Sequence, residues 1–250
     1  MKTLRRPNQT HTSALTGITM GCLLLLAGCS DSSNSNPAIP EQPPRLASCA
    51  DTDSCFSNPT LQIGGERVAQ VQIPSNYTTT TRYPLLILLH GFGASGAVQS
   101  VYMGLDTRVD SNQYVMVTPD GTENRNGLRF WNATPACCAF SDEDRTVDDV
   151  AYIRGLIEEA AATYSIDTAR IGLVGHSNGG FMALRLACEA SDLVTSVVSL
   201  AGSTWEDDSS CAPATYPVSV LTLHGTEDET IPYDGRQSEG VSYPGRTRRH

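Results

Sequence analysis

The fold of this chain is decided by residues 170–190, which read RIGLVGHSNGGFMALRLACEA. The first six residues form an apolar run that predicts a buried strand, and residues 178–190 have the spacing of a helix. The turn between them is Gly-His-Ser-Asn-Gly, a pattern that places Ser177 on a strained bend with its hydroxyl pointing outward. The helix that follows directs its positive end toward that hydroxyl. This arrangement predicts an α/β fold and makes Ser177 the candidate nucleophile.

The segments on both sides of this stretch alternate between short apolar runs and amphipathic stretches. We expect strands at residues 61–73, 83–90, 114–118, 194–201 and 217–224, and a further helix at residues 145–164. Strands that alternate with helices form a mostly parallel sheet with helices on both faces, in a doubly wound arrangement. Residues 119–144 form a long loop, and loops of this length in a compact domain are usually functional.

The composition excludes several classes of protein. The chain has 250 residues, of which 40% are hydrophobic and 18% charged, as in an ordinary soluble globular domain. Seventeen Lys and Arg residues stand against 27 Asp and Glu residues, so the net charge of −10 argues against nucleic acid as a partner. No Cys-x-x-Cys pair occurs and histidines are few, so we expect neither a metal site nor a cofactor.

The N-terminus has the pattern of an export signal. Three basic residues within the first six precede an uncharged, mostly apolar stretch over residues 14–27, which is too short to span a bilayer comfortably. The stretch ends in Leu-Ala-Gly-Cys, which resembles the lipobox of bacterial lipoproteins; a plain secretory signal is the alternative. The resemblance implies that residues 1–28 are removed and that Cys29 is acylated. Ser30 after this cysteine implies sorting to an outer membrane, where the cell has one.

The organisation that follows from this signal has three parts. Residues 1–28 are the lipoprotein signal peptide, residues 29–47 are a flexible tether rich in Ser, Asn and Pro, and residues 48–250 are the catalytic domain. We therefore expect an outer-membrane lipoprotein or a secreted protein, which touches a membrane only through its lipid anchor.

Six cysteines lie beyond the lipidation site: Cys49, Cys55, Cys137, Cys138, Cys188 and Cys211. An even number of cysteines in an exported chain favours disulfides. The first two form an obvious local loop. We expect the adjacent pair in the middle to reach the last two, because neighbouring cysteines rarely bridge each other comfortably.

A second glycine-flanked turn follows the strand over residues 83–90. The sequence His-Gly-Phe-Gly at its end leaves backbone N–H groups free to donate. We expect the N–H groups of Phe92 and Asn178 to hold the negative oxygen of a tetrahedral intermediate. A carboxylate, Asp228, follows the strand over residues 217–224, at the end of the strand where α/β active sites lie.

Six motifs occur in the order of a known family: HGFGASG, FWNATPACC, DDVAYI, RIGLVGHSNGGFMALRLACE, VVSLAGS and VLTLHGTEDETIPYDG. The chain resembles the polyhydroxybutyrate depolymerase and feruloyl esterase family of secreted α/β-hydrolases over roughly residues 60–245. The resemblance implies that Ser177 is the nucleophile and that Asp228, rather than its two glutamate neighbours, orients the catalytic imidazole. Trp131 in the second motif either lines the acyl pocket or anchors the loop.

The catalytic histidine of this family follows the acid after a further helix and strand. Only His250 follows Asp228 here, and no apolar run between them could form that strand. His250 is also the last residue, where order is least expected. We therefore expect the histidine and a C-terminal strand and helix to be missing, and we interpret the chain as a truncated or frame-shifted product. The strand over residues 217–224 is then an uncovered apolar edge.

The leading hypothesis is a serine carboxylic-ester hydrolase that acts outside the cytoplasm and is impaired in this chain by the missing histidine. Its expected partner is a hydroxycinnamoyl-polysaccharide ester, a hydroxyalkanoate polyester or an acetylated xylan. Two alternatives remain open: a serine peptidase, and a catalytically impaired surface lipoprotein with a binding role.

Overall fold

The computed structural model describes residues 42–205, 214–238 and 241–244. The expected signal peptide, most of the tether, Cys29, Cys211 and His250 lie outside the described residues. No helix within the described ranges is long and apolar enough to cross a membrane.

Strands and helices alternate along most of the described chain. The strands are β1 Gln62–Ile63, β2 Ala69–Gln72, β3 Tyr83–Leu89, β4 Val115–Thr118, β5 Thr122–Glu123, β6 Arg129–Phe130, β7 Ile166–His176, β8 Ser196–Leu200, β9 Ser219–Leu223, β10 Gln237–Ser238 and β11 Val241–Ser242. The α-helices are α1 Gly96–Met103, α2 Val109–Asn112, α3 Asp149–Thr163 and α4 Asn178–Glu189. Short 3-10 turns lie at Cys49–Asp51, Asp106–Arg108 and Asp144–Thr146.

Seven strands form one sheet in the order β1-β2-β4-β3-β7-β8-β9. The pairs β1-β2 and β2-β4 are antiparallel, and the other four pairs are parallel, which confirms the mostly parallel sheet. The chain moves to one side from β3 to β4 and to the other side through β7, β8 and β9. The crevice at the carboxyl ends of β3 and β7 is therefore the place where an α/β sheet binds ligands.

The main core lies on one face of this sheet, where α3 and α4 contribute. The side chains of Leu85, Ile87 and Leu89 on β3 point into it, and their neighbour Leu86 points to a smaller cluster on the other face. The predicted helical stripe is confirmed, since α3 buries the residues that recur at steps of three and four: Val150, Ile153, Ile157 and Ala160. Asp148 begins α3 by accepting from Ala151 N at 2.9 Å.

Helix α1 was not predicted, because its eight residues are fewer than the window of about 11–18 residues in which a helical period is recognised. It exposes its large apolar side chains, namely 59% of Val98, 77% of Val101 and 62% of Tyr102, and buries Gly96 and Gln99.

The cysteine pairing differs from the expectation at one point. The disulfide between Cys49 and Cys55 is confirmed. The expected bridges from Cys137 and Cys138 to Cys188 and Cys211 are wrong, because the two adjacent cysteines bond to each other. The peptide bond between them is cis, and their Cα atoms lie 3.1 Å apart. Cys188 is also disulfide-bonded.

Helix α4 begins where three backbone segments meet at very short distances. A β-carbon on Gly175 would lie 2.0 Å from Gly179 O, and one on Gly179 would lie 2.4 Å from Leu89 O. A β-carbon on Gly180 would lie 2.8 Å from Ser199 Oγ. Only glycine fits on the two sides of the bend, because a β-carbon at either position would overlap backbone atoms.

Strand β9 is the outer edge of the sheet. Successive side chains of a strand point to opposite faces, yet Val220 and Leu221 are both 52% exposed and Leu223 is 48% exposed. Within the described residues, neither face of β9 is covered. The expected uncovered apolar edge is therefore confirmed.

A first prediction concerns the glycines in two helices. Gly179→Ala should destabilise the protein by about 3 kcal/mol, because the new methyl group collides with backbone oxygen atoms. Gly155→Ala in α3 is the matched control, since nothing lies within 4 Å of its β-carbon position. Alanine there should stabilise the helix by about 1 kcal/mol. Thermal and urea unfolding measure both values, and equal effects of the two substitutions would contradict the close contact at α4.

A second prediction concerns the edge strand. We expect the chain to self-associate as its concentration rises, and Leu221→Lys to reduce this association because it removes apolar surface and adds charge. Thr222→Lys on the same strand adds the same charge without removing apolar surface, so its effect should be smaller. Light scattering over a concentration series measures the association. If Leu221→Lys associates as strongly as the unchanged chain, β9 is not the surface through which the chains associate.

Candidate active site

Ser177 joins β7 to α4 in a strained conformation. Its φ is 52° and its ψ is −120°, which is unfavourable for a residue with a side chain. Ser177 N donates to Leu200 O at 2.8 Å, and Ser177 O accepts from Phe181 N at 3.0 Å. These two bonds hold the bend in place. The Ser177 hydroxyl makes no capping bond to α4 and is therefore available to another partner.

The turn after β3 lies against this serine. A β-carbon on Gly91 would be 3.5 Å from the β-carbon of Ser177. The turn is held by the long loop, since Gly93 N donates to Arg129 O at 2.8 Å. Within the described residues, the N–H of Phe92 in the middle of the turn makes no hydrogen bond. The N–H of Phe92 therefore lies in the turn that packs against Ser177, without a partner of its own among the described residues.

Asn178 contributes to the site through its backbone N–H and through its side chain. It is the first residue of α4, where a backbone N–H has no partner within the helix. Its buried side chain bonds to both backbone polar atoms of Trp131: Oδ1 accepts from Trp131 N at 2.7 Å, and Nδ2 donates to Trp131 O at 2.9 Å. The residue after the candidate nucleophile thus holds the long loop in place. This role was missed, because a bond across 47 residues leaves no local pattern in the sequence.

Trp131 anchors the loop. Its side chain is completely buried, and its indole N–H donates to His90 O at 3.0 Å. The next residue is held on both sides: Asn132 N donates to Asp149 Oδ2 at 2.7 Å, and Asn132 O accepts from Arg185 Nη1 at 2.7 Å. Of the two roles that the sequence left open for Trp131, the contacts favour the structural one.

His90 ties the turn after β3 to the start of the long loop. Its Nδ1 donates to Gly91 O at 2.8 Å, and its Nε2 accepts from Gly121 N at 2.8 Å. Because a backbone N–H can only donate, Nε2 carries no proton and the ring is neutral. Burial lowers the pKa of His90 below its usual value of 6.5 and favours this neutral form. With both ring nitrogens engaged, His90 has no nitrogen left to act as a base.

Asp228 follows β9 in a tight turn. Its Oδ1 accepts from Thr230 N and from Ile231 N at 2.9 Å each. Its Oδ2 lies 3.3 Å from His224 Nε2, which donates to Ile231 O at 2.7 Å. The two neighbouring glutamates are exposed to solvent, as the sequence predicts. One oxygen of Asp228 is thus fixed by the backbone while the other is directed toward a side chain.

His176 precedes the candidate nucleophile and is half-buried. Its ring lies 5.1 Å from the ring of Tyr102. Burial lowers the pKa of His176, and the negative charge of Asp228 acts in the opposite direction. Across the described part of the chain, no hydrogen bond joins Ser177 Oγ to a histidine ring.

No group of three or more His, Cys, Asp or Glu side chains that could hold a metal ion occurs in the described ranges.

Comparison with known proteins agrees with this geometry. The sequence profile of the phospholipase/carboxylesterase family matches residues 71–239. Feruloyl esterase D of Neurospora crassa is 27% identical over 213 residues, which cover 75% of this chain and 65% of that enzyme. The bifunctional acetylxylan esterase/xylanase XynS20E of Neocallimastix patriciarum is 27% identical over 177 residues, which cover 71% of this chain and 23% of that protein. This chain therefore spans less than two-thirds of either relative.

A solved structure supports the fold. The crystal structure of native sOPH aligns with a TM-score of 0.52 at 13% identity, covering 71% of this chain and 68% of that one. At this identity the likeness concerns the fold alone. Together with the strand order and the bend at Ser177, the family match shows that this chain has an α/β-hydrolase fold and belongs to the phospholipase/carboxylesterase family.

Proposed function

We propose that this chain is a serine carboxylic-ester hydrolase that acts outside the cytoplasm. One observation carries the proposal: Ser177 occupies a strained bend at the crevice, with the turn that carries Phe92 N beside it and Asn178 N at the start of the next helix. Membership of the phospholipase/carboxylesterase family supports ester hydrolysis over the peptidase alternative.

The proposed reaction begins when Ser177 Oγ attacks the carbonyl carbon of the ester. The carbonyl oxygen becomes negative and accepts hydrogen bonds from Phe92 N and Asn178 N. The bond to the alcohol oxygen then breaks, the alcohol leaves with the proton that Ser177 Oγ has given up, and Ser177 keeps the acyl group. Water attacks this acyl-enzyme and releases the carboxylic acid.

Asp228 is the proposed acid of the triad. Its Oδ1 is occupied by two backbone N–H groups, which fix the carboxylate, while its Oδ2 is directed toward a side chain. The base is not His90, whose ring nitrogens are both engaged, and His224 uses its Nε2 for a backbone carbonyl. We propose that the described residues lack the base and that catalysis by this chain is impaired for that reason.

The substrate classes follow from the relatives and from the resemblance. The names of two relatives, feruloyl esterase and acetylxylan esterase, support a hydroxycinnamoyl or an acetyl ester. A hydroxyalkanoate polyester is the third class that the motifs allow. The export pattern that ends at Cys29, and the disulfides at Cys49–Cys55 and Cys137–Cys138, support a location outside the cytoplasm.

The third prediction tests this impaired catalysis. The 250-residue chain should hydrolyse p-nitrophenyl acetate about a thousand-fold more slowly than a typical enzyme, whose kcat is about 10 per second. Added imidazole should raise the rate, because a small base can reach the hydroxyl. Ser177→Ala should abolish the residual rate and should reduce the response to imidazole to that of the same imidazole solution without protein.

The matched control for this assay is Ser111→Ala, which removes an exposed serine far along the sequence from Ser177 and should change neither rate. Two results would contradict the proposal. One is a residual rate that survives Ser177→Ala. The other is turnover near the typical enzymatic rate that His176→Ala or His250→Ala abolishes, since the base would then be present.

A further inference from the structure

Gln99 on α1 is a buried polar side chain that the proposed chemistry does not use. It is 2% exposed. Its Oε1 accepts from Gly91 N at 3.3 Å, whereas its Nε2 is buried and has no hydrogen-bond partner among the described residues. A buried amide group without a partner destabilises a fold. An apolar side chain of the same size would avoid this cost, so packing alone does not account for a glutamine at this position.

The helix that carries Gln99 is held against the end of β4. A β-carbon on Gly96, in the first turn of α1, would lie 2.7 Å from Thr118 O. Gly96 N also donates to Asp120 Oδ1 at 2.7 Å. These contacts fix the helix about one turn before Gln99. The Oε1 atom of Gln99 is therefore held in place where it accepts from Gly91 N.

Two consecutive peptide groups form the turn after β3. The first joins His90 to Gly91. Its carbonyl oxygen accepts from Trp131 Nε1 at 3.0 Å, and its N–H donates to Gln99 Oε1. The second joins Gly91 to Phe92. Its carbonyl oxygen accepts from His90 Nδ1 at 2.8 Å, and its N–H is the proposed oxyanion donor. Side chains thus occupy three of the four polar atoms of the turn, and the fourth is the N–H of Phe92.

A peptide group is planar, with its carbonyl oxygen and its N–H on opposite edges, so bonds on both edges fix its plane. Gly91 lies between the two planes and has no β-carbon, so its own backbone restricts them little. We propose that Gln99 is a positioning residue of ester hydrolysis, which fixes the first plane so that the second presents the Phe92 N–H in one direction. A donor that is already oriented stabilises the negative oxygen without reorganising during the reaction. The inference rests on the proposed function, because it takes Phe92 N as the oxyanion donor.

Gln99→Met tests this proposal, because methionine has nearly the same length but offers no strong acceptor to Gly91 N. The measured quantity is hydrolysis of p-nitrophenyl acetate by the full chain with a fixed concentration of imidazole, after subtraction of the rate of Ser177→Ala. The variant should lower kcat about ten-fold and change KM less than about two-fold, because the negative oxygen exists only in the transition state and the intermediate. Its melting temperature should change by less than about 4 °C, since one unpartnered buried group replaces another.

Gln99→Glu is the rescue variant, because it keeps an acceptor oxygen at the same place. Burial raises the pKa of a carboxyl group, so at about pH 6.5 this side chain stays protonated and resembles the amide. Its kcat should lie within about three-fold of that of the unchanged chain. A glutamine that only filled space would give the same kcat in both variants. Gln70→Met is the matched control, since it makes the same substitution at an exposed position of β2 and should leave kcat unchanged.

Two results would overturn the proposal. One is a Gln99→Met variant with the kcat of the unchanged chain. The other is a Gln99→Glu variant whose kcat is as low as that of Gln99→Met, while both variants keep the melting temperature of the unchanged chain. A rate that Ser177→Ala does not lower would instead contradict the proposed function, so the two failures are distinguishable.

Discussion

The close approach of Gly175, Gly179 and Leu89 is the constraint on which the rest of the site depends. Their backbones lie so near one another that a β-carbon would fall 2.0 to 2.4 Å from a carbonyl oxygen. This contact brings the start of α4 onto the ends of β3 and β7, and the chain can then pass from strand to helix only through a sharp bend. Ser177 occupies the bend with a φ of 52°. Its conformation is thus imposed by packing and retained by backbone bonds on both sides.

A second set of contacts, all of them hydrogen bonds, connects this bend to the long loop. The side chain of Asn178 clamps Trp131, Trp131 bonds to the carbonyl of His90, and the His90 ring joins Gly91 to Gly121. Each bond contributes about 1 kcal/mol, but a buried group that loses its partner costs about 1–3 kcal/mol. The network is therefore stable only when complete. It joins the turn that carries Phe92 to the long loop over residues 119–144.

Local patterns in the sequence predict much of this structure. The apolar run before Ser177, the helical stripe of α3 and the glycines of the two turns each depend on neighbours along the chain, so β3, β7, α3 and α4 could be predicted. The side-chain clamp between Asn178 and Trp131 could not, because it joins residues far apart in sequence. Helix α1 could not be predicted because its eight residues are too few to establish a helical period, and the bond between Cys137 and Cys138 could not because neighbouring cysteines rarely bridge each other.

Identification of the residue that a fluorophosphonate modifies decides most directly whether this bend holds a nucleophile. Attack by a serine oxygen forms a bond to phosphorus and releases fluoride, so the modified residue keeps a stable mass label. After proteolysis of the labelled 250-residue chain, the label should lie on Ser177, and Ser177→Ala should remain unlabelled even after long exposure. A label on another residue, at the same rate in the unchanged chain and in Ser177→Ala, would contradict the assignment.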